Sequence, residues 1–259
     1  MRHGHWNRNA RTRGLSRHVA GVLMYVASAA CMPMRAQSPL MHLDLNLPAY
    51  RLDVFLRHER VRSYPVLIGE RGTRTPRGAF VIARIEWNPG RVLPKRGCAG
   101  NGRIAPADPK TSVARVQLTL SPLLLVQGTA QIDALATASS RGCVGLASKD
   151  VLDLATLIQR SMRGNVTSDS LLALTSAGAR PLTVTLPNIP IDIRYDPVEV
   201  SGDTLFTYSD PYRLGTSPWK DASAALARVG LDTMAIDLAR LRRMTRYPDR
   251  LPIALPLRR

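Results

Sequence analysis

His42-Leu43-Asp44-Leu45-Asn46-Leu47 alternates apolar and polar residues over six positions, and this stretch decides the fold class. Leu43, Leu45 and Leu47 fall on one side, and His42, Asp44 and Asn46 on the other. That is the period of a strand with one buried face. Leu52, Val54 and Leu56 repeat it. Arg57-His58-Glu59-Arg60 reads as a polar turn, and the chain returns through Val61 to Ile68, which makes an antiparallel hairpin.

Further along, residues 69–78 form a loop punctuated by glycine and proline, and Ala79 to Trp87 reads as another strand. The Gly/Pro-rich stretch from Asn88 to Ala114 is long for a structureless loop, which marks it as functional or lid-like. Val116–Leu120 and Leu123–Val126 are two more strands. A helix is expected from about Lys149 to Arg163, with Ser148 as N-cap, Asp150 and Asp153 near its positive end, Arg160 and Arg163 near its negative end, and Gly164 as its stop. Val151, Leu154, Ala155, Ile158 and Met162 form its apolar stripe. Short β segments are expected at Leu182–Leu186, Ile191–Tyr195, Val198–Val200 and Thr204–Tyr208. Two helices follow, one from Ser217-Pro218 to Gly230 and one from about Asp232 to Met244. The fold class is mainly β with few helices (α+β): one domain at 42–164 and a small α+β extension at 165–259.

Composition narrows the function classes. The 259 residues include 45% hydrophobic and 21% charged residues, enough for a packed core and too few charges for wholesale disorder. Three cysteines exclude a disulfide-dense scaffold. The formal net charge is +17. Its arginines are scattered, without dense runs or interleaved aromatics, so nucleic acid is not expected as a partner; a basic polyanion- or nucleic-acid-binding surface protein is the alternative this charge keeps open. Residues 1–36 read as an address: Arg2, Arg8, Arg11, Arg13 and Arg17 precede the apolar run Val19 to Met34, and Ser28-Ala29-Ala30 offers a cleavage site. A signal peptide or N-terminal anchor fits this pattern, with Cys31 a candidate for lipid modification. Either version places the remaining chain outside the cytoplasm, in the periplasm or at the cell envelope.

One constellation carries chemistry: Val126-Gln127-Gly128-Thr129, a spacer, then Ser139-Ser140-Arg141-Gly142-Cys143-Val144-Gly145-Leu146. Cys143 follows a glycine and comes shortly before the expected helix start, where backbone N–H groups favour a thiolate and an oxyanion. On composition alone, a lone cysteine is more often an inert buried one.

Four stretches of the chain resemble the YkuD-type L,D-transpeptidase catalytic domain: Asn46 to Phe55; Tyr64 to Gly69 with Thr75-Pro76-Arg77-Gly78-Ala79-Phe80; Trp87-Asn88-Pro89; and Gln127 to Leu146. The resemblance implies an L,D-transpeptidase-like β-sandwich with a small C-terminal subdomain. It implies a cysteine acyltransferase acting on peptidoglycan stem peptides through a Cys143 thioester, which is then taken by an amine of another stem peptide or of a protein. It implies Gly142 and Arg141 beside the nucleophile, and Ser140, Gly128, Thr129 and Trp87 as substrate-binding positions. No metal and no organic cofactor is expected, and nothing in the sequence indicates an oligomeric state.

The chain departs from the family at decisive places. Gln127 stands where the family has its base histidine, and an amide accepts no proton at ordinary pH. Arg141 stands where histidine is frequent, and Gly145 where the family usually has arginine. His42 and His58 are expected on the solvated surface. An acyltransferase impaired by Gln127 is therefore the first reading and a non-catalytic peptidoglycan-binding module the second. Arg141 would favour a Cys143 thiolate without carrying a proton. Cys98 and Cys143 would pair outside the cytoplasm if the fold brought them together.

Overall fold

The computed structural model describes residues 40–89, 91–92, 103–104, 115–129, 132–163, 167–174, 179–244 and 252–258. The expectations for residues 1–36, for Cys98 and for Gly164 lie outside these residues. In chain order the elements are β1 (Met41–Asn46), β2 (Arg51–Leu56), β3 (Glu59–Pro65), β4 (Ile68–Gly69), β5 (Gly78–Trp87), β6 (Arg91–Val92), β7 (Arg103–Ile104), β8 (Val116–Ser121), β9 (Leu124–Thr129), β10 (Ala138–Ser140), β11 (Val144–Ala147), α1 (Ser148–Arg163), α2 (Ser168–Leu174), β12 (Leu182–Arg194), β13 (Val198–Ser201), β14 (Thr204–Thr207), α3 (Pro218–Arg228), α4 (Leu238–Met244) and β15 (Ile253–Pro256).

The alternating leucines do what their period requires. Leu43, Leu45, Leu52 and Val54 are fully buried, and β1 pairs antiparallel with β2, Leu43 opposite Val54. The turn to β3 is shorter than expected: Arg57 takes a positive φ of 57° and pairing resumes at Glu59. The large sheet has eight strands in the order β11-β9-β8-β5-β12-β1-β2-β3. α1 starts at Ser148 itself rather than after it. Val151, Leu154, Ala155 and Ile158 are buried in the main core. Each of the larger side chains contributes about 1.5–3 kcal/mol relative to exposure.

Two expectations about the last third are corrected. The segments at Leu182–Leu186 and Ile191–Tyr195 are one long strand, β12, interrupted by an irregularity between Thr185 and Ile189. This strand lies inside the large sheet, antiparallel to β5 and parallel to β1. The sheet therefore draws on both sides of the division expected between 42–164 and 165–259, and its last strand ends only at Arg194. The helix expected from Asp232 to Met244 is also broken. A 3-10 turn at Thr233–Ala235 is capped by Asp232, and Ile236 is extended before α4 begins. Ile236 is buried in the second core with Val198, Leu205, Leu226, Leu241 and Leu255. Placing that side chain inside outweighs continuing the helix.

β13, β14 and β15 form a small antiparallel sheet covered by α3. A charged cluster joins it to the large sheet. Arg194 reaches Asp44 at 2.5 Å, Asp196 at 2.7 Å and Glu199 at 3.2 Å. Arg51 reaches Glu199 at 2.6 Å and Asp53 at 2.9 Å. The Tyr208 hydroxyl donates to Glu199 at 2.6 Å. Desolvation offsets much of the attraction in such a cluster, so its main effect is to fix which groups meet.

Candidate active site

Strand register gives the large sheet two unlike faces near its β11 edge. Ile85, Leu118, Val126 and Val144 stand in one row across β5, β8, β9 and β11. All four are buried in the main core. The adjacent row is Glu86, Gln117, Gln127 and Gly145. Side chains alternate along strands, so this second row faces the other way. Cys143 immediately precedes β11 and has the parity of Gly145, on the face of Gln127. Gln127 stands opposite Gly145, two residues past Cys143.

The turn that presents Cys143 is built by backbone contacts. Gly142 has φ of +101°, a conformation that disfavours any side chain. The Ser140 hydroxyl accepts from the Gly142 N–H at 3.2 Å and donates to the Cys143 carbonyl at 2.6 Å. β10 pairs with β4, and the Glu70 N–H donates to the Ser140 carbonyl at 2.8 Å. Thr75 Oγ1 accepts from the Gly69 N–H at 2.9 Å and donates to the Gly142 carbonyl at 3.1 Å. Gly69 is held so closely that a Cβ there would lie 2.2 Å from the Thr73 carbonyl oxygen and 2.8 Å from Gly142 Cα. The Thr-Pro-Arg-Gly loop and the cysteine turn are thus one backbone-to-backbone assembly.

Cys143 is buried and disulfide-bonded. The chain's other cysteines, Cys31 and Cys98, lie outside the described residues. A disulfide sulfur is not a nucleophile; a thiolate at this position exists only after reduction.

The site residues named from sequence divide cleanly. Arg141, Gly142 and Cys143 share the turn, with Arg141 exposed on it, and Gln127 stands on the neighbouring strand opposite Gly145. Gly128 and Thr129 lie on β9 beside Leu146 and Ala147, and both are buried. Ser140 spends its hydroxyl inside the turn and is a structural residue of it. Trp87 is corrected: it is fully buried in the main core and has opposite parity to Glu86, so it faces away from Cys143. The helix start is corrected too. β11 separates Cys143 from Ser148, and five extended residues span about 15 Å, whereas a helix-end effect fades within the first turn. Of the two histidines among the described residues, His58 is exposed, but His42 is half-buried and stacks on Phe55 with ring centres 4.6 Å apart. β1 is five strands away from β11, which places His42 far from the thiol.

Two features of the site escaped the sequence reading. Gln117 is buried beside Gln127, and within the protein its Nε2 and the Oε1 of Gln127 are both buried without a hydrogen-bond partner. The polar residues at alternate positions of Val116-Gln117-Leu118-Thr119-Leu120 were the available signal. The second feature is the space at Gly145. A Cβ there would meet Leu67 at 3.2 Å and Thr129 at 3.5 Å, so Leu67 crowds the start of any side chain at this position. Among the described residues no group of three or more His, Cys, Asp or Glu is placed to hold a metal ion. A pocket of about 470 Å³ lies beyond the far end of β11, lined by Pro65, Ile132, Leu135 and the start of α1, and it does not include Cys143.

Residues 41–200 match the family model of the L,D-transpeptidase catalytic domain, YkuD. The chain belongs to this L,D-transpeptidase catalytic domain family. Two relatives are YkuD proteins whose names assign them to the L,D-transpeptidases. The one from Bacillus licheniformis is 30% identical over 126 residues, covering 48% of this chain and 64% of its own length. The one from Bacillus subtilis is 27% identical over 123 residues, covering 47% and 63%. The chain thus spans less than two thirds of either relative. Among solved structures, an L,D-transpeptidase from Mycobacterium smegmatis shows 15% identity with a TM-score of 0.36, over 60% of this chain and 58% of its own. The catalytic domain from an E. faecium L,D-transpeptidase shows 12% identity with a TM-score of 0.36, over 62% of this chain and 99% of its own.

Proposed function

We propose that this chain is an exported cysteine acyltransferase that acts on peptidoglycan stem peptides through a thioester on Cys143. The observation that carries the reading is the Ser140-to-Cys143 turn. It sets the family's cysteine position at the head of β11, on the face of Gln127, with Gly142 in a conformation suited to glycine. After reduction, the Cys143 thiolate attacks the amide carbonyl that follows the third residue of a tetrapeptide stem. The S–C bond forms, the C–N bond breaks, and the terminal D-amino acid leaves as an amine, taking a proton from solvent water. An amine of a second stem peptide or of a protein then attacks the thioester carbonyl, gives up a proton to water, and returns the sulfur as thiolate. Backbone N–H groups of the turn are the candidates to stabilise the oxyanion.

Gln127 carries no proton in this scheme, so turnover is low relative to a histidine-equipped enzyme. The exposed Arg71, Arg74, Arg77 and Arg141 give the mouth of the site a positive field that favours the thiolate and attracts the carboxylates of an acidic stem. Export is proposed on the basic and apolar pattern of residues 1–36; a fusion lacking them should remain in the cytoplasm while the full chain is translocated, and equal retention of both would exclude it. A binding-only role is the second reading, favoured by the amide at Gln127 and by the disulfide on Cys143.

The test is release of the terminal D-amino acid from tetrapeptide-bearing wall fragments by reduced protein. Release by the wild type and none by Cys143→Ala supports the acyltransferase. Retention of fragments without release by either protein supports the binding module.

A further inference from the structure

Beyond residue 200, where the family match ends, the segment 208–216 crosses back to the loop that holds the cysteine turn. The Tyr212 hydroxyl accepts the N–H of Thr75 at 3.0 Å, and Tyr212 is only 2% exposed. Thr75 is equally buried, and its Oγ1 donates to the Gly142 carbonyl at 3.1 Å. Tyr212 is itself held from several sides. Its ring stacks on Tyr195 with centres 5.5 Å apart, and its N–H donates to the Tyr195 hydroxyl oxygen at 3.1 Å. The Tyr195 hydroxyl donates to Asp210, whose carboxylate accepts the N–H groups of Leu214 and Gly215 at 3.0 Å and of Thr216 at 3.3 Å. The Arg74 guanidinium lies 5.7 Å from the centre of the Tyr212 ring.

The chemistry gives this chain of contacts a purpose. Gly142 has no side chain to restrict its peptide plane, and glycine is the residue with the widest backbone freedom. The carbonyl of Gly142 and the N–H of Cys143 belong to one planar peptide unit. Whatever holds the carbonyl also aims the N–H, which is a donor beside the sulfur. We infer that Tyr212 is a positioning residue for the nucleophile, fixing the Gly142–Cys143 peptide plane through Thr75. The C-terminal segment is then part of the active site's construction. This inference rests on the acyltransferase reading for its consequence in catalysis, but the positioning itself is readable on the thiol alone.

The test compares reduced wild type, Tyr212→Phe, Thr75→Val, Thr75→Ser and Tyr208→Phe. Tyr208 is the internal control: it also loses a buried hydroxyl bond, but to Glu199 and away from the turn. Two experiments are run on each protein, with thermal unfolding alongside. The first measures the single-turnover rate of thioester formation and the fragment concentration that half-saturates it. The second measures the apparent pKa for alkylation of Cys143 by iodoacetamide. Tyr212→Phe and Thr75→Val should slow acylation about tenfold or more, the order expected for a misdirected oxyanion donor. Half-saturation should stay unchanged, and the alkylation pKa should rise. Thr75→Ser keeps the hydroxyl and should retain wild-type values, and Tyr208→Phe should lose stability only. Tyr212→Phe that matches Tyr208→Phe in both readouts overturns the inference. If the wild type forms no thioester, the acyltransferase reading fails, and the alkylation pKa alone then decides the positioning role.

Discussion

Gln127 on β9 stands opposite Gly145 on β11, two residues past Cys143 and on the same face of the sheet. Gly145 has no side chain of its own, and Leu67 packs against it at that position. On the acyltransferase reading proposed above, what an amide at position 127 does not supply is a proton carrier. Gln127→His should raise the single-turnover acylation rate of the reduced protein about a hundredfold, the lower range of general-base contributions. Half-saturation should not move, since the change acts on the chemical step. A wild-type rate that the histidine leaves unchanged would show that another group carries the proton.

The disulfide on Cys143 makes reduction the first step of any reaction at this sulfur. Protein purified without reductant should form no adduct with wall fragments, and a dithiol reductant should restore adduct formation. Thiol titration under denaturing conditions, before and after reduction, provides the stoichiometry. Equal acylation of the untreated protein would contradict the expectation.

Gly145→Arg restores the residue usual in the family but not its space. The first side-chain carbon would meet Leu67 at 3.2 Å, and overpacking of this kind costs about 1–3 kcal/mol. The variant should unfold at lower urea concentration and acylate no faster. Pairing it with Leu67→Ala should not restore wild-type stability, because alanine keeps the Cβ that stands at 3.2 Å and truncating the buried leucine has its own cost. A single Gly145→Arg variant as stable as wild type would show that Leu67 moves aside freely.

Acid should weaken the junction between the large sheet and the C-terminal sheet. Burial alone would raise the Glu199 carboxyl, but the Tyr208 hydroxyl and the Arg51 and Arg194 guanidinium groups outweigh it and hold it below its ordinary value. Asp210 is likewise depressed: burial is overcome by the Tyr195 hydroxyl and three backbone N–H groups. A depressed carboxyl contributes stability above its unfolded value, roughly pH 4, and loses it as pH falls through the folded value. Asp44 has the opposite sign, because burial raises it despite Arg194 at 2.5 Å. Glu199→Gln should cost about 3 kcal/mol at pH 7, as removal of one partner from a buried pair does, and should flatten the loss of stability below pH 4. Urea unfolding across pH 3 to 7 measures both, and a slope equal to that of wild type would contradict the assignment.

How much was legible in the sequence depended on whether the signal was local. The β1–β2 hairpin and the α1 stripe are short-period patterns, and they fold as their periods require. β12 read as two pieces because Pro187, Asn188 and Pro190 interrupt it. The structure absorbs them in an irregularity, with Asn188 at φ of 35°. Trp87 reads as a substrate position from its place in a motif, but its parity against Glu86 in the same strand puts it on the opposite face. The distance from Cys143 to the helix start is not legible in the sequence because a few residues are short in sequence and long in an extended strand. The Tyr212–Thr75 contact joins residues 137 positions apart and leaves no local trace.

The central claim is that Cys143 is an acylating nucleophile, and intact mass measures it most directly. Reduced full-length protein is incubated with tetrapeptide-bearing wall fragments and weighed, with Cys143→Ala in parallel. The account predicts an adduct equal in mass to the stem acyl group on the wild type, slow to accumulate, faster in Gln127→His and absent from Cys143→Ala. An unmodified mass for wild type and Gln127→His alike, with Cys143 shown by titration to be a free thiol, would contradict it.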